Sequence, residues 1–297
     1  MAVVVLGAGG MLGRALETEY PDARRFTRAA LDISDEDAVR AALGPGVGLV
    51  VNAAADTRVD RAESDPSHIA VNTEAVGALA ARCREIQAAL VHVSTDYVFN
   101  GRGTRPYREA DPVDPVNAYG RGKLGGERLA LERGGRVLIV RTSWVFGPSG
   151  ANFVDTILKQ AESGRKELRV VHDQSGRPTA AADLARAIRL LVEQGAQGIV
   201  HFANSGETTW YEFAAEALRL AGWRDVLVRP ATSKEFVRPA RRPSYSVLDT
   251  GLYEGTTGER PRSWRAALAD YVRARAAERA ARTPEPPLAL VPRAGTA

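Results

Sequence analysis

Residues 3–13 read Val3-Val4-Val5-Leu6-Gly7-Ala8-Gly9-Gly10-Met11-Leu12-Gly13, a short apolar run that passes directly into glycines. Apolar residues without alternation predict a strand buried on both faces, as in parallel sheets. The glycines precede a helix predicted over residues 14–20, and they let the backbone turn tightly and receive a pyrophosphate at the helix N-terminus. The segment therefore predicts a dinucleotide-binding βαβ unit; a tight turn without a ligand is the alternative.

Strands and helices continue to alternate after this unit. Apolar runs predict further strands at residues 24–27, 48–52, 90–94 and 137–141, with helices at 35–43 and 67–86. Such alternation is typical of right-handed βαβ crossovers, which build a parallel sheet with helices on both faces. We predict an α/β fold with a Rossmann-like doubly wound parallel sheet in residues 1–147. A smaller C-terminal substrate-binding domain is predicted in residues 148–282, with a later return of the chain to the sheet left open.

The second part of the chain shows weaker signals. Helices are predicted at residues 153–161, 181–193 and 263–282, with a strand at 198–202. Thr209 and Glu212 have the spacing of a capping box, as do Ser34 and Asp37 earlier in the chain. Residues 228–247 are rich in Pro, Arg and Ser and predict a loop around a polar ligand. Residues 283–297 contain four prolines and little to bury, and predict a disordered tail.

Composition and charge exclude several classes of protein. The 297 residues carry 40 Lys+Arg against 36 Asp+Glu, a net charge of +4, and residues 260–282 alone hold seven Arg against two acidic residues. The rest of the chain is close to neutral, so we expect no nucleic-acid partner. The single cysteine, Cys83, excludes an internal disulfide, and no Cys/His spacing indicates a metal site. Without an apolar run of ~18–20 residues or a signal-peptide pattern, we expect a cytoplasmic protein with no membrane partner.

The end of the second predicted strand bears on the choice of nucleotide. In dinucleotide-binding folds an acidic residue there binds the ribose 2′-hydroxyl of NAD, whereas an arginine accommodates the 2′-phosphate of NADP. Arg28 stands at this point, and no carboxylate follows the strand until Asp32. We therefore predict NADPH as the cofactor, with NADH as the alternative. A solvated surface arginine is the other interpretation of Arg28.

Tyr119 and Lys123 lie four residues apart, so on a helix both side chains share one face. A tyrosine with a pKa near 10 is a poor proton donor at neutral pH, and a neighbouring ammonium lowers that pKa toward the working range. The strand predicted at residues 90–94 ends in Ser94-Thr95-Asp96-Tyr97, and strand ends face the ligand crevice of a doubly wound sheet. We predict that Tyr119 donates a proton to a developing alkoxide while the Thr95 hydroxyl binds a carbonyl oxygen.

These motifs resemble those of the extended short-chain dehydrogenases/reductases. The resemblance rests on the glycine loop, on Asn52-Ala53-Ala54-Ala55, on Ser94-Thr95-Asp96-Tyr97-Val98-Phe99 and on the Tyr119–Lys123 pair. Within that family, about residues 1–270 are similar to the dTDP-4-dehydrorhamnose reductases. The strings that carry this narrower resemblance are Asp56-Thr57, Val59-Asp60, Ala62-Glu63, Arg141-Thr142-Ser143-Trp144-Val145-Phe146, Asn152-Phe153, Asp173-Gln174, Pro178-Thr179, Ala240-Arg241-Arg242-Pro243 and Leu248-Asp249.

The resemblance implies a reductase that acts on a dTDP-4-keto-6-deoxyhexose, converting dTDP-4-dehydro-L-rhamnose to dTDP-L-rhamnose with NAD(P)H. It implies that Tyr119 donates the proton, that Thr95 orients the ketone, and that Lys123 binds the nicotinamide ribose and tunes Tyr119. With the glycine loop and Arg28, the predicted cofactor contacts are Gly7, Gly10, Met11, Leu12, Gly13, Arg28, Asp32, Ile33, Ala54, Ala55, Asp56, Tyr119 and Lys123. The predicted substrate contacts are Thr95, Asp96, Trp144, Asn152, Arg241 and Arg242.

Several alternatives stay open on sequence alone. Trp144 also suits an apolar core, and the paired Arg241 and Arg242 also suit a solvated loop. Some members of the family hold Mg²⁺ between two protomers through acidic residues, one of them in the first helix. Ala15 stands at the matching position here, so we predict no metal and leave monomer or homodimer open. The chain also fits a 4-ketoreductase of another dTDP-deoxysugar in natural-product biosynthesis, or a non-catalytic regulatory subunit of the same fold.

Overall fold

The computed structural model describes residues 2–282. Its strands are β1 (Ala2–Leu6), β2 (Arg24–Phe26), β3 (Val47–Asn52), β4 (Ala89–Thr95), β5 (Arg136–Thr142), β6 (Val145–Phe146), β7 (Glu167–Val171), β8 (Ser175–Gly176), β9 (Thr179–Ala180), β10 (Gly198–His201), β11 (Thr208–Thr209) and β12 (Leu227–Ala231). Its α-helices are α1 (Met11–Glu19), α2 (Glu36–Ala42), α3 (Ser67–Ile69), α4 (Ala75–Glu85), α5 (Ala118–Arg133), α6 (Phe153–Glu162), α7 (Ala181–Glu193), α8 (Trp210–Leu220), α9 (Gly251–Thr257) and α10 (Trp264–Arg282). A π-helical turn, Ala70–Glu74, joins α3 to α4, and 3-10 turns cover Arg61–Glu63 and Asp96–Val98.

A six-stranded parallel sheet forms the centre of the fold, with the strand order β10-β5-β4-β3-β1-β2. Its register pairs Leu6 with Asn52, Asn52 with His92 and Thr95 with Thr142. Because the strands are parallel, their carboxyl ends meet along one edge. The strand order reverses beside β1, where doubly wound folds open a ligand crevice. The predicted α/β fold with a Rossmann-like parallel sheet is confirmed.

Apolar layers cover both faces of this sheet. On one face α1 and α7 pack through Leu16 and Leu184, and on the other α2 and α4 pack through Val39 and Leu79. Burial on both faces explains why the strands read as continuous apolar runs. A separate core lies between α6, α8 and α10, where the packed side chains include Phe146, Leu158, Phe213, Leu218 and Trp264.

The chain returns to the central sheet after the predicted boundary at residue 148. α7 packs against α1, and β10 pairs in parallel with β5. The layers around the sheet are therefore built from two stretches of chain. Within residues 2–282, no helix has both the length and the apolar character needed to cross a bilayer.

The predicted elements are largely confirmed, including the capping box of Thr209 and Glu212 at the start of α8. The predicted loop at residues 228–247 is partly wrong, because its first residues belong to β12, which pairs in parallel with β7. The helix predicted at residues 67–86 is interrupted by the π-helical turn. The predicted tail, residues 283–297, lies outside the described residues.

The predicted capping box of Ser34 and Asp37 is wrong. The N-cap of α2 is Asp35, whose carboxylate accepts the backbone N–H of Ala38 at 3.0 Å. The Ser34 hydroxyl instead donates to Asp32 at 2.6 Å. Since aspartate and serine are both good N-caps, the choice between adjacent candidates depended on how the preceding turn folds.

Helix α5, which carries Tyr119 and Lys123, lies unusually close to its neighbours because glycines face them. A Cβ added at Gly120 would stand 2.2 Å from the carbonyl oxygen of Tyr97, and one added at Gly126 would stand 2.2 Å from that of Asn72. Real side chains do not approach backbone oxygens so closely. These glycines therefore set how closely the helix lies against the 3-10 turn that follows β4 and against the π-helical turn.

We expect Gly126→Ala to destabilise the protein by about 1–3 kcal/mol, because the added methyl group must push α5 away from Asn72. Gly255→Ala is the matched control, since this α9 position has nothing within 4 Å of an added Cβ. The control should be neutral or stabilising by up to about 1 kcal/mol, the helix-propensity gain. Urea unfolding with unchanged slope measures both, and equal stability of the two variants would contradict the packing argument.

Candidate active site

The glycine loop after β1 forms a cradle of exposed backbone at the start of α1. Gly7 has φ +77°, a conformation that favours glycine, and a Cβ at Gly13 would stand 2.2 Å from the Gly7 carbonyl oxygen. Gly10 is the N-cap of α1 and supplies no side-chain cap, so Met11 and Leu12 begin the helix with their N–H groups uncapped by a side chain. Such a helix N-terminus suits a pyrophosphate, and the cradle therefore fits a dinucleotide.

The loop after β2 brings Arg28 and Asp32 to the surface beside this cradle. The Arg28 side chain is 76% exposed and pairs with the Asp32 carboxylate at 3.3 Å. Hydrogen bonds from Ser34 lower the pKa of Asp32. Ile33 is buried in the core under the sheet, so its side chain faces away from solvent. Arg28 is thus accessible to a ligand phosphate, while Asp32 is partly engaged.

The backbone after β3 is held by two asparagines, Asn52 of the Asn52–Ala55 motif and Asn72, which was not predicted from the sequence. The Asn52 Oδ1 accepts the N–H of Ala54 at 3.1 Å. Asn72, on the π-helical turn, accepts the N–H of Asp56 at 2.9 Å and donates to its carbonyl at 2.8 Å. Ala55 lies between these two anchors. Helical periodicity does not distinguish a π turn, so the sequence held no signal for the placement of Asn72.

Lys123 is buried and hydrogen-bonded to β4. Its Nζ donates to the Val93 carbonyl at 2.7 Å and lies 3.1 Å from His92 Nε2. Burial lowers the pKa of Lys123 to about 8. Burial also holds the pKa of His92 well below its usual range, and Asn52 contacts its other ring nitrogen at 3.1 Å. His92 is therefore a buried, hydrogen-bonded histidine that helps to hold the lysine.

Tyr119 meets Thr95 at the end of β4. Burial raises the pKa of Tyr119, the charge of Asp96 raises it further, and a hydrogen bond with the Thr95 side chain lowers it. The sequence predicts that Lys123 lowers this pKa. In the structure the lysine amino group is turned to Val93 and His92. Burial dominates the pKa of Tyr119 and raises it, so the predicted lowering of this pKa is wrong.

Asp96 directly follows Thr95 and is 2% exposed. Its Oδ1 accepts the Thr95 hydroxyl at 3.1 Å, and the Thr95 oxygen accepts the N–H of Tyr97 at 3.2 Å. Burial raises the pKa of Asp96 to about 7, although hydrogen bonds from the hydroxyls of Ser246 and Thr95 lower this pKa. The structure thus joins three predicted site residues, Tyr119, Thr95 and Asp96, in one hydrogen-bonded chain.

A cavity of about 1270 Å³ opens beside Tyr97, whose ring meets that of Tyr119 edge-on at 6.0 Å. Its wall includes Phe153 and Trp210, and Trp210 stacks on Trp144 with centroids 3.6 Å apart. Trp144 is half-buried and takes φ 47°, so it is held in an uncommon backbone conformation. Trp210 was not predicted as a site residue, because its position in the first turn of a capped helix carries no ligand signal.

The predicted arginines lie on the cavity wall but differ in their partners. Arg242 forms an ion pair with Asp60. Arg241 is exposed, and within residues 2–282 its guanidinium has no ion-pair partner. Its carbonyl oxygen accepts the side-chain N–H of Asn117 at 2.8 Å. Asn117 also caps α5 by accepting the N–H of Gly120 at 2.7 Å. One amide therefore links the arginine segment to the helix of Tyr119.

Asn152 lies apart from the other predicted substrate contacts. It is the N-cap of α6, accepting the N–H of Asp155 at 2.9 Å, and it donates to the Gly147 carbonyl at 3.0 Å. Its Nδ2 also lies 3.0 Å from the Tyr271 hydroxyl. These contacts give Asn152 a structural task, and its contact with substrate stays a prediction.

Lys123 should make stability depend on pH between about 8 and 10. In the unfolded chain a lysine keeps its proton up to a pH near 10.4, whereas the folded pKa of Lys123 is about 8. In this window the unfolded state binds more protons, so the free energy of unfolding rises with pH, by up to about 1.4 kcal/mol per unit from this group. Urea unfolding across the window should show the rise in wild type and lose it in Lys123→Met.

The matched control is Lys159→Met, which removes an exposed lysine of α6. This variant should keep the rise of stability with pH. If Lys123→Met kept it as well, another group would be its source.

Comparison with known proteins supports one family throughout. Residues 1–276 match the family described as the RmlD substrate binding domain. A dTDP-4-dehydrorhamnose reductase of Streptomyces griseus is 44% identical over 284 residues, which cover 90% of this chain and 91% of that protein. A probable dTDP-4,6-dihydroxy-2-methyloxan-3-one 4-ketoreductase of Streptomyces antibioticus is 42% identical over 276 residues, covering 90% and 93% respectively.

Solved structures agree with the sequence relatives. The crystal structure of a Bacillus anthracis dTDP-4-dehydrorhamnose reductase in complex with NADP has a TM-score of 0.88 to this fold at 33% identity. The similarity covers 92% of this chain and 100% of that one. The match covers the glycine cradle, the hydrogen-bonded residues around Tyr119 and the cavity wall. This protein therefore belongs to the dTDP-4-dehydrorhamnose reductase family of NAD(P)H-dependent sugar-nucleotide reductases.

Proposed function

We propose that the protein reduces the 4-keto group of dTDP-4-dehydro-L-rhamnose to give dTDP-L-rhamnose, with NADPH as cofactor and NADH as the alternative. The observation that carries this proposal is the hydrogen-bonded pair of Tyr119 and Thr95. The pair stands at the end of β4, beside a cavity large enough for a nucleotide sugar and on the same sheet edge as the glycine cradle. A proton donor at such a junction suits carbonyl reduction.

Bound NADPH supplies the hydride that reduces the keto carbon. The residues of the chain have to orient the ketone and neutralise the charge that develops on its oxygen. Tyr119 donates its phenolic proton to that oxygen. The Thr95 hydroxyl hydrogen-bonds to Tyr119 and orients the ketone. Both residues are less than one-tenth exposed, so water competes little for these hydrogen bonds.

The cofactor is proposed to lie along the carboxyl edge of the sheet. The cradle of Gly7, Gly10 and Gly13 would hold the pyrophosphate, and Arg28 the 2′-phosphate. The backbone from Ala54 to Asp56 would follow the nucleotide, and Lys123 would bind the nicotinamide ribose. Residues 1–147, with the returning α7 and β10, would form the cofactor-binding unit, and the rest of 148–282 the sugar-nucleotide unit.

The substrate is proposed to occupy the large cavity. Trp144, stacked on Trp210, offers an apolar surface to the deoxyhexose. The guanidinium of Arg241 suits the diphosphate, because its planar N–H groups bind phosphate in pairs. Arg242, paired with Asp60, would act mainly by shaping the wall. We further propose a cytoplasmic enzyme that works as a monomer or homodimer.

The direct test is NADPH oxidation with purified dTDP-4-dehydrorhamnose. Tyr119→Phe should lower kcat by about 10²–10⁴, the usual contribution of a positioned proton donor. Its affinity for NADPH, measured by fluorescence titration, should stay near that of wild type. Full activity of Tyr119→Phe would contradict the proposed mechanism.

The same assay separates the alternatives. Turnover only with another dTDP-4-keto-6-deoxyhexose would assign the second candidate, a 4-ketoreductase of a different deoxysugar, which the Streptomyces antibioticus relative favours. Absence of turnover with every such substrate, together with co-purification with a larger enzyme, would favour a regulatory subunit. Tyr119, Thr95 and Lys123 are all present and buried, which argues for catalysis.

Arg28 should select NADPH over NADH. We expect Arg28→Ala to raise the KM for NADPH about tenfold, the loss of roughly one charge-assisted hydrogen bond, and to leave the KM for NADH unchanged. Arg128→Ala, which removes an exposed arginine of α5, is the control and should change neither value. Equal effects on the two cofactors would rule out a contact with the 2′-phosphate.

A further inference from the structure

Asp96 is a buried carboxyl whose two oxygens differ in their contacts. Its Oδ1 accepts the Thr95 hydroxyl, whereas its buried Oδ2 has no hydrogen bond of good geometry within residues 2–282, although the Ser246 hydroxyl lies close enough to lower the pKa of the carboxyl. Isolated buried carboxylates are costly, and burial raises the pKa of Asp96 to about 7. A large share of the molecules therefore carries a carboxylic acid here at neutral pH.

The hydrogen-bond inventory of Thr95 makes it a two-way connection. A threonine hydroxyl has one proton to donate and two lone pairs. The N–H of Tyr97 takes one lone pair, at 3.2 Å. One proton and one lone pair remain, and they face the two groups Tyr119 and Asp96. The hydroxyl can thus accept from Tyr119 and donate to Asp96, or accept from Asp96 and donate to Tyr119.

We propose that Asp96 is the proton reservoir that restores Tyr119 after each turnover, through the hydroxyl of Thr95. This inference rests on the proposed function, in which Tyr119 leaves the chemical step as a phenolate. Once the product oxygen carries its proton, it no longer needs the Thr95 hydroxyl, which is then shared by Tyr119 and Asp96 alone.

The transfer is balanced and involves no change of oxidation state. The O–H bond of the Asp96 acid breaks as its proton bonds to Thr95 Oγ1. Thr95 releases its own proton to the Tyr119 phenolate oxygen, forming the phenol again. Asp96 remains as a carboxylate and is protonated again by hydronium or a buffer acid from the solvent before the next turnover. Each O–H bond that breaks is replaced by another.

The surroundings of Asp96 support this role. The titratable groups that feel its charge are Tyr119 on α5 and Tyr97 on the 3-10 turn, and the pKa of each is raised by burial first and by Asp96 among the further causes. Ser246 approaches from the segment after Arg242 and lowers the pKa of Asp96. Arg242, the cation that contacts Tyr97, is engaged by Asp60, and Lys123 on α5 is turned to Val93.

The test compares first and later turnovers in Asp96→Asn. The enzyme is preloaded with NADPH, mixed rapidly with the dTDP-4-keto sugar, and followed by NADPH absorbance. Asn keeps the shape but cannot supply the proton, so later turnovers should be slower than the first turnover of the same variant by at least about tenfold, giving a burst. Asp114→Asn, at an exposed aspartate, should show no burst and unchanged steady-state rate.

Other outcomes would overturn the proposal. Equal slowing of first and later turnovers with a raised KM would make Asp96 a substrate contact only, and unchanged kinetics would remove it from the reaction. A lack of turnover by wild type would contradict the proposed function instead, without deciding the state of Asp96.

A second measurement needs neither substrate nor cofactor. Infrared spectra of the protein alone, wild type minus Asp96→Asn, should show the carbonyl band of a protonated carboxylic acid that disappears as the pH rises through about 7. Isotope-labelled aspartate in wild type gives the same readout should the variant fold poorly. Absence of this band at mildly acidic pH means that Asp96 holds no proton to give, and the proposal is wrong.

Discussion

The close contact between α5 and the end of β4 is the constraint on which the site depends. Gly120 lies against the carbonyl of Tyr97, and Gly126 lies against that of Asn72, at separations that leave no room for a side chain. At this depth the Lys123 amino group reaches β4, and Tyr119 reaches Thr95. Backbone contact at the glycines thus places the chemical groups of the neighbouring positions.

The same depth has an electrostatic consequence. Lys123 and Asp96 are each 2% exposed, and desolvation moves their pKa values in opposite directions, downward for the lysine and upward for the aspartate. Both shifts favour the uncharged form. One dry environment therefore brings an acid and a base toward neutrality near physiological pH, which is where proton transfer is easiest to reverse.

The sequence predicts the elements that carry the proposed reacting groups, but not the contacts that support them. The glycine cradle, the Tyr119–Lys123 spacing and the strand end at Thr95 are local patterns, and each element follows the expected period. Asn72 and the partner of Arg242 could not be predicted, because the first depends on a π turn and the second on Asp60, 182 residues away in the chain. The direction of the Lys123 amino group is likewise decided by tertiary contacts with β4.

Asn117 shows how such supports connect distant parts of the protein. Its amide oxygen closes the first turn of α5, and its amide nitrogen donates to the backbone of Arg241 on the cavity wall. The Asn117 side chain therefore opposes both the opening of the first turn of α5 and the displacement of the cavity-wall segment at Arg241. By linkage, a ligand that steadies the wall also steadies the helix, and to the same extent in the reverse direction. Order at Tyr119, the proposed proton donor, is thus tied to occupancy of the cavity.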